Sequence, residues 1–231
     1  MRMYLVLVLT VSLLFAAKPT KNQGAENEAE KLFRIMEEKL AKAKTLECAF
    51  EVRIDTQSYK GSLFLAPGNR ARLEINEAAR GRPMRLLIVS DGAHQSFQDN
   101  GIPQPQRRDT PKNLNAEILT WLALSGMFLP HTPLPDVKAD DAKGRFRVSA
   151  CKLGKKEKVE EREARRVEYQ LSVKGLDNPL SVIVWLDVKT RIPVKRLVTE
   201  RVGGHQTAII ETYGKITLDE DVDAKKFDLP K

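Results

Sequence analysis

The side chains that could carry chemistry are few and scattered along the chain. The three histidines, His94, His131 and His205, lie in predicted turns or loops, and none is part of a His-x-x-x-His pair of the kind that binds zinc. The acidic run Asp219–Asp223 has the composition of a calcium-binding loop but lacks its central glycine and closing glutamate. Ser90–Gly92 places a serine beside an acid, without a histidine partner in the local pattern. We therefore expect no enzymatic activity, no metal ion and no cofactor.

The two cysteines, Cys48 and Cys151, are about 100 residues apart. In an oxidising compartment they could form one disulfide, which would contribute about 4–5 kcal/mol in the chain-entropy description of so long a loop. Two buried free thiols are the alternative. Neither cysteine is part of a Cys-x-x-Cys motif, so redox catalysis is not predicted.

The N-terminus has the pattern of an export signal. Arg2 precedes an uncharged stretch, Met3–Ala16, and cleavage could follow either Ala16 or Ala17. The stretch is short for a membrane-spanning helix, which needs about 20 apolar residues, although an uncleaved anchor is the alternative. We predict that residues 1–17 are a signal peptide and that residues 18–231 form one domain in the periplasm.

The charge of the chain indicates which partners it could have. Its formal net charge is +8, which favours anionic lipid head groups or an acidic protein surface. Nucleic acid is not expected, because the chain is predicted to be exported and no basic run is interleaved with aromatic residues. We expect a monomer.

The remaining sequence alternates between strand and helix patterns. Asn27, with Glu30 three residues later, predicts the start of an amphipathic helix that continues to about Lys44. Apolar and polar residues then alternate in short segments separated by turns, which is typical of an antiparallel sheet or barrel. The charged stretch Lys155–Glu163 is predicted to be a solvated hairpin tip. Either two packed sheets or one strongly curved sheet with an open interior fits this pattern.

A single apolar helix interrupts the strands. Leu114, Ile118, Trp121, Leu122 and Ser125 recur at helical spacing, and the helix is predicted to end near Gly126. A helix this apolar must be covered on more than one side. It is either a core helix that caps the sheet or a lid whose inner face contacts a ligand.

Several phrases, in this order, resemble the outer-membrane lipoprotein carrier family and its relatives (LolA- and LolB-like proteins). They follow the export signal and the amphipathic helix and span the chain from about Glu26 to Pro230. The phrases are Gly61-x-Leu63-x-Leu65-x-Pro67, Arg70-x-Arg72, Leu87-Ile88-Val89-Ser90-Asp91-Gly92, Trp185-Leu186-Asp187-x-x-Thr190-x-x-Pro193-Val194-Lys195 and Val222-Asp223-Ala224-Lys225-Lys226-Phe227.

The resemblance implies a mainly β fold with α-helices: an incomplete antiparallel β-barrel with an N-terminal helix and a helical lid. It implies a periplasmic carrier that takes the acyl chains of a lipoprotein or lipid from an inner-membrane donor complex to an outer-membrane acceptor. The family's carrier has an arginine just before the proline of the second strand, and this chain has Ala66 there. A paralogue with another lipid cargo, or an envelope regulatory module that binds a membrane protein partner, is the alternative.

We expect the acyl chains to contact apolar residues of the strands and of the lid. The loop arginines Arg80, Arg82, Arg107 and Arg108 could meet anionic head groups, although a solvated role is the alternative. The predicted lining comprises Phe50, Val52, Ile54, Leu63, Leu65, Leu73, Ile75, Leu86, Ile118, Trp121 and Leu122.

Overall fold

The structure is a computed structural model that describes residues 27–77, 85–99, 102–103, 108–127, 146–202 and 205–230. The predicted signal peptide and Arg80, Arg82 and Arg107 lie outside these residues. The two α-helices are α1 (Glu28–Lys42) and α2 (Leu114–Leu124), and a 3₁₀ helix spans Ala224–Phe227. The strands are β1 (Leu46–Ile54), β2 (Gln57–Ala66), β3 (Arg70–Glu77), β4 (Arg85–Asp91), β5 (His94–Asp99), β6 (Ile102–Pro103), β7 (Arg108–Asp109), β8 (Phe146–Val159), β9 (Arg162–Val173), β10 (Leu180–Asp187), β11 (Pro193–Val202), β12 (His205–Tyr213) and β13 (Thr217–Leu218).

Helix α1 begins with the capping box that the sequence predicts. The Asn27 side chain accepts a hydrogen bond from the Glu30 N–H at 2.9 Å, and the Glu30 carboxylate accepts one from the Asn27 N–H at 3.2 Å. Apolar residues at helical spacing form one buried stripe, which includes Phe33, Met36 and Leu40. Among the described residues, no helix is long and apolar enough to cross a bilayer.

The described strands form one antiparallel sheet, and its two ends do not pair with each other. Their spatial order is β6-β5-β4-β3-β2-β1-β12-β11-β10-β9-β8, with β13 also paired to β1 and β7 to β5. The first strand therefore lies in the middle of the sheet, where Phe50 of β1 pairs with Gly61 of β2 on one side and with Tyr213 of β12 on the other.

Both helices lie on the same face of this sheet. Helix α1 packs on α2 and, within the sheet, on β8 and β9, and α2 also packs on β3. The inward side chains of both halves of the sheet join the helices in one core, where the rings of Phe33 and Tyr169 are 4.8 Å apart. The sheet thus curves around the helices, which confirms the predicted incomplete barrel and excludes two packed sheets for the described strands.

The C-terminal segment covers part of the outer face. Asp223 caps the 3₁₀ helix by accepting a hydrogen bond from the Lys225 N–H at 3.0 Å, and Phe227 is buried. This helix packs on β3 and β4, where the outward side chains of Leu87 and Val89 are also buried. The phrase Val222–Phe227 is therefore a structural element of the outer face.

The charged stretch after Leu153 differs from its prediction as a hairpin tip. Strand β8 continues to Val159 and β9 starts at Arg162, so that only two residues form the turn. Cross-strand partners hold this charged ribbon: Lys156 lies 4.0 Å from Glu163, and Glu157 accepts a hydrogen bond from the indole of Trp185 at 2.7 Å. Charged residues can continue a strand when cross-strand pairs are available.

Candidate functional site: apolar inner face and anchored helix

The structure brings the eight predicted strand residues of the lining together on the inner face of the sheet. One row of this face runs across four strands from Phe50 through Gly61 and Ile75 to Leu86, and the next row pairs Leu63 with Leu73. Side chains of directly paired residues in an antiparallel sheet share a face. Five of the eleven predicted lining residues, Phe50, Val52, Leu63, Leu65 and Leu122, are buried in the core. The other six, Ile54, Leu73, Ile75, Leu86, Ile118 and Trp121, are half-buried.

The inner face is less covered towards the β5 end of the sheet. Leu73 and Ile75 of β3, Leu86 and Ile88 of β4 and Phe97 of β5 form a continuous apolar surface, which we call the open row. Four of them are half-buried, and Phe97 is 40% exposed. The predicted lining did not include Ile88 and Phe97. Ile88 pairs with Leu73 and Phe97 pairs with Ile88, so both lie in the same row of the inner face. The open row can receive an apolar ligand because it continues the core without being buried by it.

The N-terminal end of α2 is fixed to the β2–β3 turn. The Asn115 amide donates a hydrogen bond to the Ala66 carbonyl at 2.7 Å, and the Asn69 amide donates one to the Lys112 carbonyl at 2.6 Å. Ala66 is the position at which the family resemblance leads one to expect an arginine. Here the backbone carbonyl of that residue contacts the helix instead.

Ser90–Gly92 has a structural role next to this turn. The buried Ser90 hydroxyl donates to the Asn69 carbonyl at 2.8 Å and lies 2.8 Å from the Thr110 hydroxyl. The Asp91 carboxylate accepts hydrogen bonds from the Ala93 and His94 N–H groups at 2.8 and 2.7 Å. These polar groups therefore hold two turns together.

Buried polar side chains on the inner face of the sheet bind the C-terminal end of α2. We call this group the anchor; it comprises Arg196, Glu211, Tyr213 and Tyr169. Arg196 donates to the Ala123 carbonyl at 3.0 Å and to the Tyr213 hydroxyl at 3.1 Å. Tyr213 in turn donates to Glu211. The anchor thus binds the last carbonyl groups of the helix, which lack partners within it.

Two further contacts complete the anchor. Tyr169 donates to the Leu124 carbonyl at 2.6 Å, and the Glu211 carboxylate accepts a hydrogen bond from the Met127 N–H at 3.0 Å. The chain turns at Gly126, whose φ is +96°, and a Cβ there would lie 2.5 Å from the Glu211 carboxyl carbon. Only glycine fits this position without displacing the carboxylate.

The protonation states of the anchor residues allow these hydrogen bonds. Burial raises the pKa of Tyr169 to about 12 and that of Tyr213 well above its ordinary value, although Arg196 opposes both shifts. Both phenols are therefore protonated at neutral pH and can donate. The positive charge of Arg196 also lies at the negative end of the α2 dipole, which is a favourable place for a cation.

Sequence reasoning missed the anchor, although a signal was present. Arg196 is two residues from the apolar Val198, and Glu211 is two residues from both Ile209 and Tyr213, so both charges occupy inward positions of their strands. A charge at an inward position needs a partner. The pairing of Arg196 with Glu211 across β11 and β12 supplies it.

A cleft of about 740 Å³ opens at the other end of the sheet, between α1, α2 and β8. Trp121 of α2 contacts Phe146 of β8 with ring centroids 4.8 Å apart. Its polar lining is Glu37, Glu38 and Thr120, and its apolar lining is Phe33, Ala41, Ala116, Leu119, Ala123, Leu124, Phe146 and Val148.

The remaining candidate residues do not converge on one place. Cys48 of β1 and Cys151 of β8 are both free thiols, the first buried and the second half-buried. Arg108 is exposed on β7. Within the described ranges, no group of three or more His, Cys, Asp or Glu side chains is placed to hold a metal ion.

No protein-family description matches the sequence, and no curated protein matches it either. Similar solved structures include the Mycobacterium tuberculosis lipoprotein LppX, with 11% identity, a TM-score of 0.44 and coverage of 84% of this chain and 96% of that one. The complex of Pseudomonas aeruginosa MucA and MucB matches with 10% identity and a TM-score of 0.44, over 88% of this chain and 62% of that one. A LolA superfamily protein from Nitrosomonas europaea matches with 12% identity and a TM-score of 0.33, over 87% and 97%. These likenesses concern the arrangement of helices and strands.

Proposed function

We propose that this protein is an envelope binding protein, not an enzyme, that shields the acyl chains of a lipid or lipoprotein against the inner face of its curved sheet. The observation that carries the proposal is the open row. Five apolar side chains on three neighbouring strands face the interior without being buried, and Phe97 is 40% exposed. Contiguous apolar surface of this kind usually marks a binding site.

The anchored helix supports the proposal. Helix α2 is hydrogen-bonded at its first turn to Asn69 and Ala66 and at its last turn to Arg196 and Tyr169. A cover that is fixed at both ends leaves the interior preformed, which lowers the ordering cost of binding. Removing one methylene group from water gains about 0.8 kcal/mol, so an apolar interior can hold a long acyl chain while the protein crosses an aqueous compartment.

The export pattern of residues 1–17 supports an envelope location, and the resemblance of the sequence to lipoprotein carriers supports the route. We propose that the protein works in the periplasm, receives its cargo from an inner-membrane donor and delivers it to an outer-membrane acceptor. The net charge of +8 favours anionic head groups at the mouth of the interior.

Native mass spectrometry of the full chain, purified from the envelope fraction before and after organic extraction, tests the proposal. We expect an extractable phospholipid or acylated peptide, and saturable uptake of a fluorescent fatty acid by the extracted protein. An apo mass together with no uptake of the probe would refute a carrier function.

Phe97→Glu tests the site. The exposed 40% of this side chain is about 80 Å² of a typical aromatic surface, worth about 2 kcal/mol and thus roughly 30-fold in affinity. Gln98→Glu adds the same charge on the outer face of the same strand, where Gln98 pairs with Leu87. We expect the fatty acid to bind Phe97→Glu at least tenfold more weakly and Gln98→Glu unchanged. Equal affinities of the two variants would place the ligand elsewhere.

A further inference from the structure

Strand β8 ends the sheet. It pairs with β9, no other described strand lies on its far side, and the Asn27 amide at the start of α1 donates a hydrogen bond to the Cys151 carbonyl of β8 at 3.3 Å. With 14 residues it is also the longest described strand. Such an edge presents N–H and C=O groups that can pair with another strand, which is how many domains bind extended peptides.

The cleft lies on the inner side of this edge. Phe146 and Val148 point inward, because they pair with the buried Val173 and Leu171, and both line the cleft of about 740 Å³. Alternate side chains of a strand point to opposite faces. A strand added to β8 would therefore direct every second side chain into the cleft, where Phe33 and Leu119 provide apolar walls.

The charges around the edge favour one kind of strand. Arg147 and Lys152 lie on the outer face, because they pair with the outward Ser172 and Glu168, and neither forms an ion pair within the described part of the chain. Glu37 and Glu38 line the cleft from α1. Carboxylates of an added strand would thus be attracted at outward positions and repelled at inward ones.

The same charges disfavour a second copy of this chain. Strand β8 carries five cationic residues, Arg147, Lys152, Lys155, Lys156 and Lys158, and a single carboxylate, Glu157. Two such edges would repel each other through their lysines and arginine. The register of β8 shifts between Ser149 and Lys152 and between Leu153 and Lys156, so an added strand would pair with the regular run that begins at Phe146.

We propose that the β8 edge and the cleft beside it form a docking site for an extended segment of a partner protein in which apolar and acidic side chains alternate. The site is at the opposite end of the sheet from the open row, so it adds a protein partner to the acyl cargo. Its test is therefore independent of lipid binding.

The probe is a fluorescent decapeptide of alternating valine and aspartate, and its binding to the full-length protein is measured by anisotropy. We expect saturable binding that weakens with salt, and no binding of the alternating valine–lysine peptide or of a valine–aspartate peptide in shuffled order. Two N-methylated versions, modified at all valine or at all aspartate amides, test the edge itself. Only one set of amides can face β8, so one version should lose binding and the other should retain it. Equal behaviour of the two would overturn strand addition.

Variants of the protein locate the site. Arg147→Glu with Lys152→Glu should weaken the peptide roughly tenfold or more, whereas Lys60→Glu with Lys189→Glu, the same charge change at exposed positions elsewhere, should have little effect. Ala116→Trp, at an exposed cleft position of α2, should also weaken the peptide. Unchanged affinity in the first variant would overturn the proposal. So would an Ala116→Trp protein that loses the fatty acid and keeps the peptide, because the cleft would then be a lipid site.

The carrier proposal fails separately from this one. Phe97→Glu alters the open row alone, so it should leave the affinity for the valine–aspartate peptide unchanged. Loss of fatty-acid binding with retained peptide binding would therefore support two distinct sites.

Discussion

The turn at Gly126 is the most sensitive point of the anchor, and a matched glycine shows why. Gly126 and Gly175 have nearly the same φ, +96° and +97°. A Cβ at Gly175 would meet nothing within 4 Å, whereas one at Gly126 would lie 2.5 Å from the carboxyl carbon of Glu211. Alanine at either site introduces the same backbone strain, and only Gly126→Ala also displaces a buried carboxylate.

The two costs can be separated in magnitude. Left-handed backbone costs a residue with a side chain about 1–2 kcal/mol, so Gly175→Ala should lower the free energy of unfolding by about that amount. Gly126→Ala adds the loss of the hydrogen bonds of Glu211 to Met127 and Tyr213, and disturbs its pairing with Arg196. Disrupting a buried ionic group of this kind costs about 3–5 kcal/mol. We expect Gly126→Ala to cost about 3 kcal/mol more than Gly175→Ala.

Urea unfolding of the full-length chain, followed by circular dichroism, measures the difference. With a slope of about 2 kcal/mol/M, the midpoint of Gly126→Ala should lie about 1.5 M below that of Gly175→Ala. In a background carrying Arg196→Met and Glu211→Ala, where the carboxylate is absent and no charge is left unpaired, Gly126→Ala should cost only the backbone strain. Equal costs of the two glycine variants in the wild-type background would refute the reasoning.

Three further predictions concern the anchor, the thiols and one carboxylate. Arg196→Met should lower the free energy of unfolding by about 3–5 kcal/mol, and adding Glu211→Leu should restore most of it, because the buried charge is then no longer unpaired; urea midpoints of the single and double variants check this. Burial raises the pKa of the Cys48 thiol to about 12. At pH 8 a thiol reagent should therefore label the half-buried Cys151, whereas Cys48 should react only on unfolding. Equal labelling of the two cysteines in the native protein would contradict the buried position of Cys48. Burial raises the pKa of Asp187, but the hydrogen bonds from the turn that follows it outweigh burial and hold it below its ordinary 3.8. This stabilisation is present above pH 3.8 and is lost as the pH falls through the lower pKa of the folded state. On acidification below pH 4, Asp187→Asn should therefore lose less stability than wild type. Parallel plots of unfolding free energy against pH for the two proteins would contradict this.

Most of the fold could be predicted from the sequence, because local pattern determines strands and helix caps. The alternation around Phe50 and the capping box at Asn27 depend on neighbours within a few residues, and both predictions are confirmed. The pattern also predicted α2, with an end near Gly126, and the helix ends at Leu124. The choice between two packed sheets and one curved sheet depended on contacts between distant strands, which no local pattern encodes.

The site could be predicted only in part. The alternation of apolar and polar residues places Leu73, Ile75 and Leu86 on the inner face. How far the helices cover these side chains depends on where α1 and α2 pack. The anchor was missed because Arg196 and Glu211 are far from α2 in sequence. Two inward charges on neighbouring strands were nevertheless a sign of a buried pair.

The central position of β1 has a consequence for how the chain is completed during synthesis. The β2 partner of Phe50 follows it by about ten residues in the sequence, whereas its β12 partner, Tyr213, follows it by about 160 residues. Until the final strands emerge, β1 is an uncovered edge in the middle of the future sheet, and its apolar side chains are available to other chains. Closing so long a loop is slow in a sheet of this size. The nascent chain therefore needs protection from aggregation until β12 has been synthesised, because β1 gains its second neighbour only then.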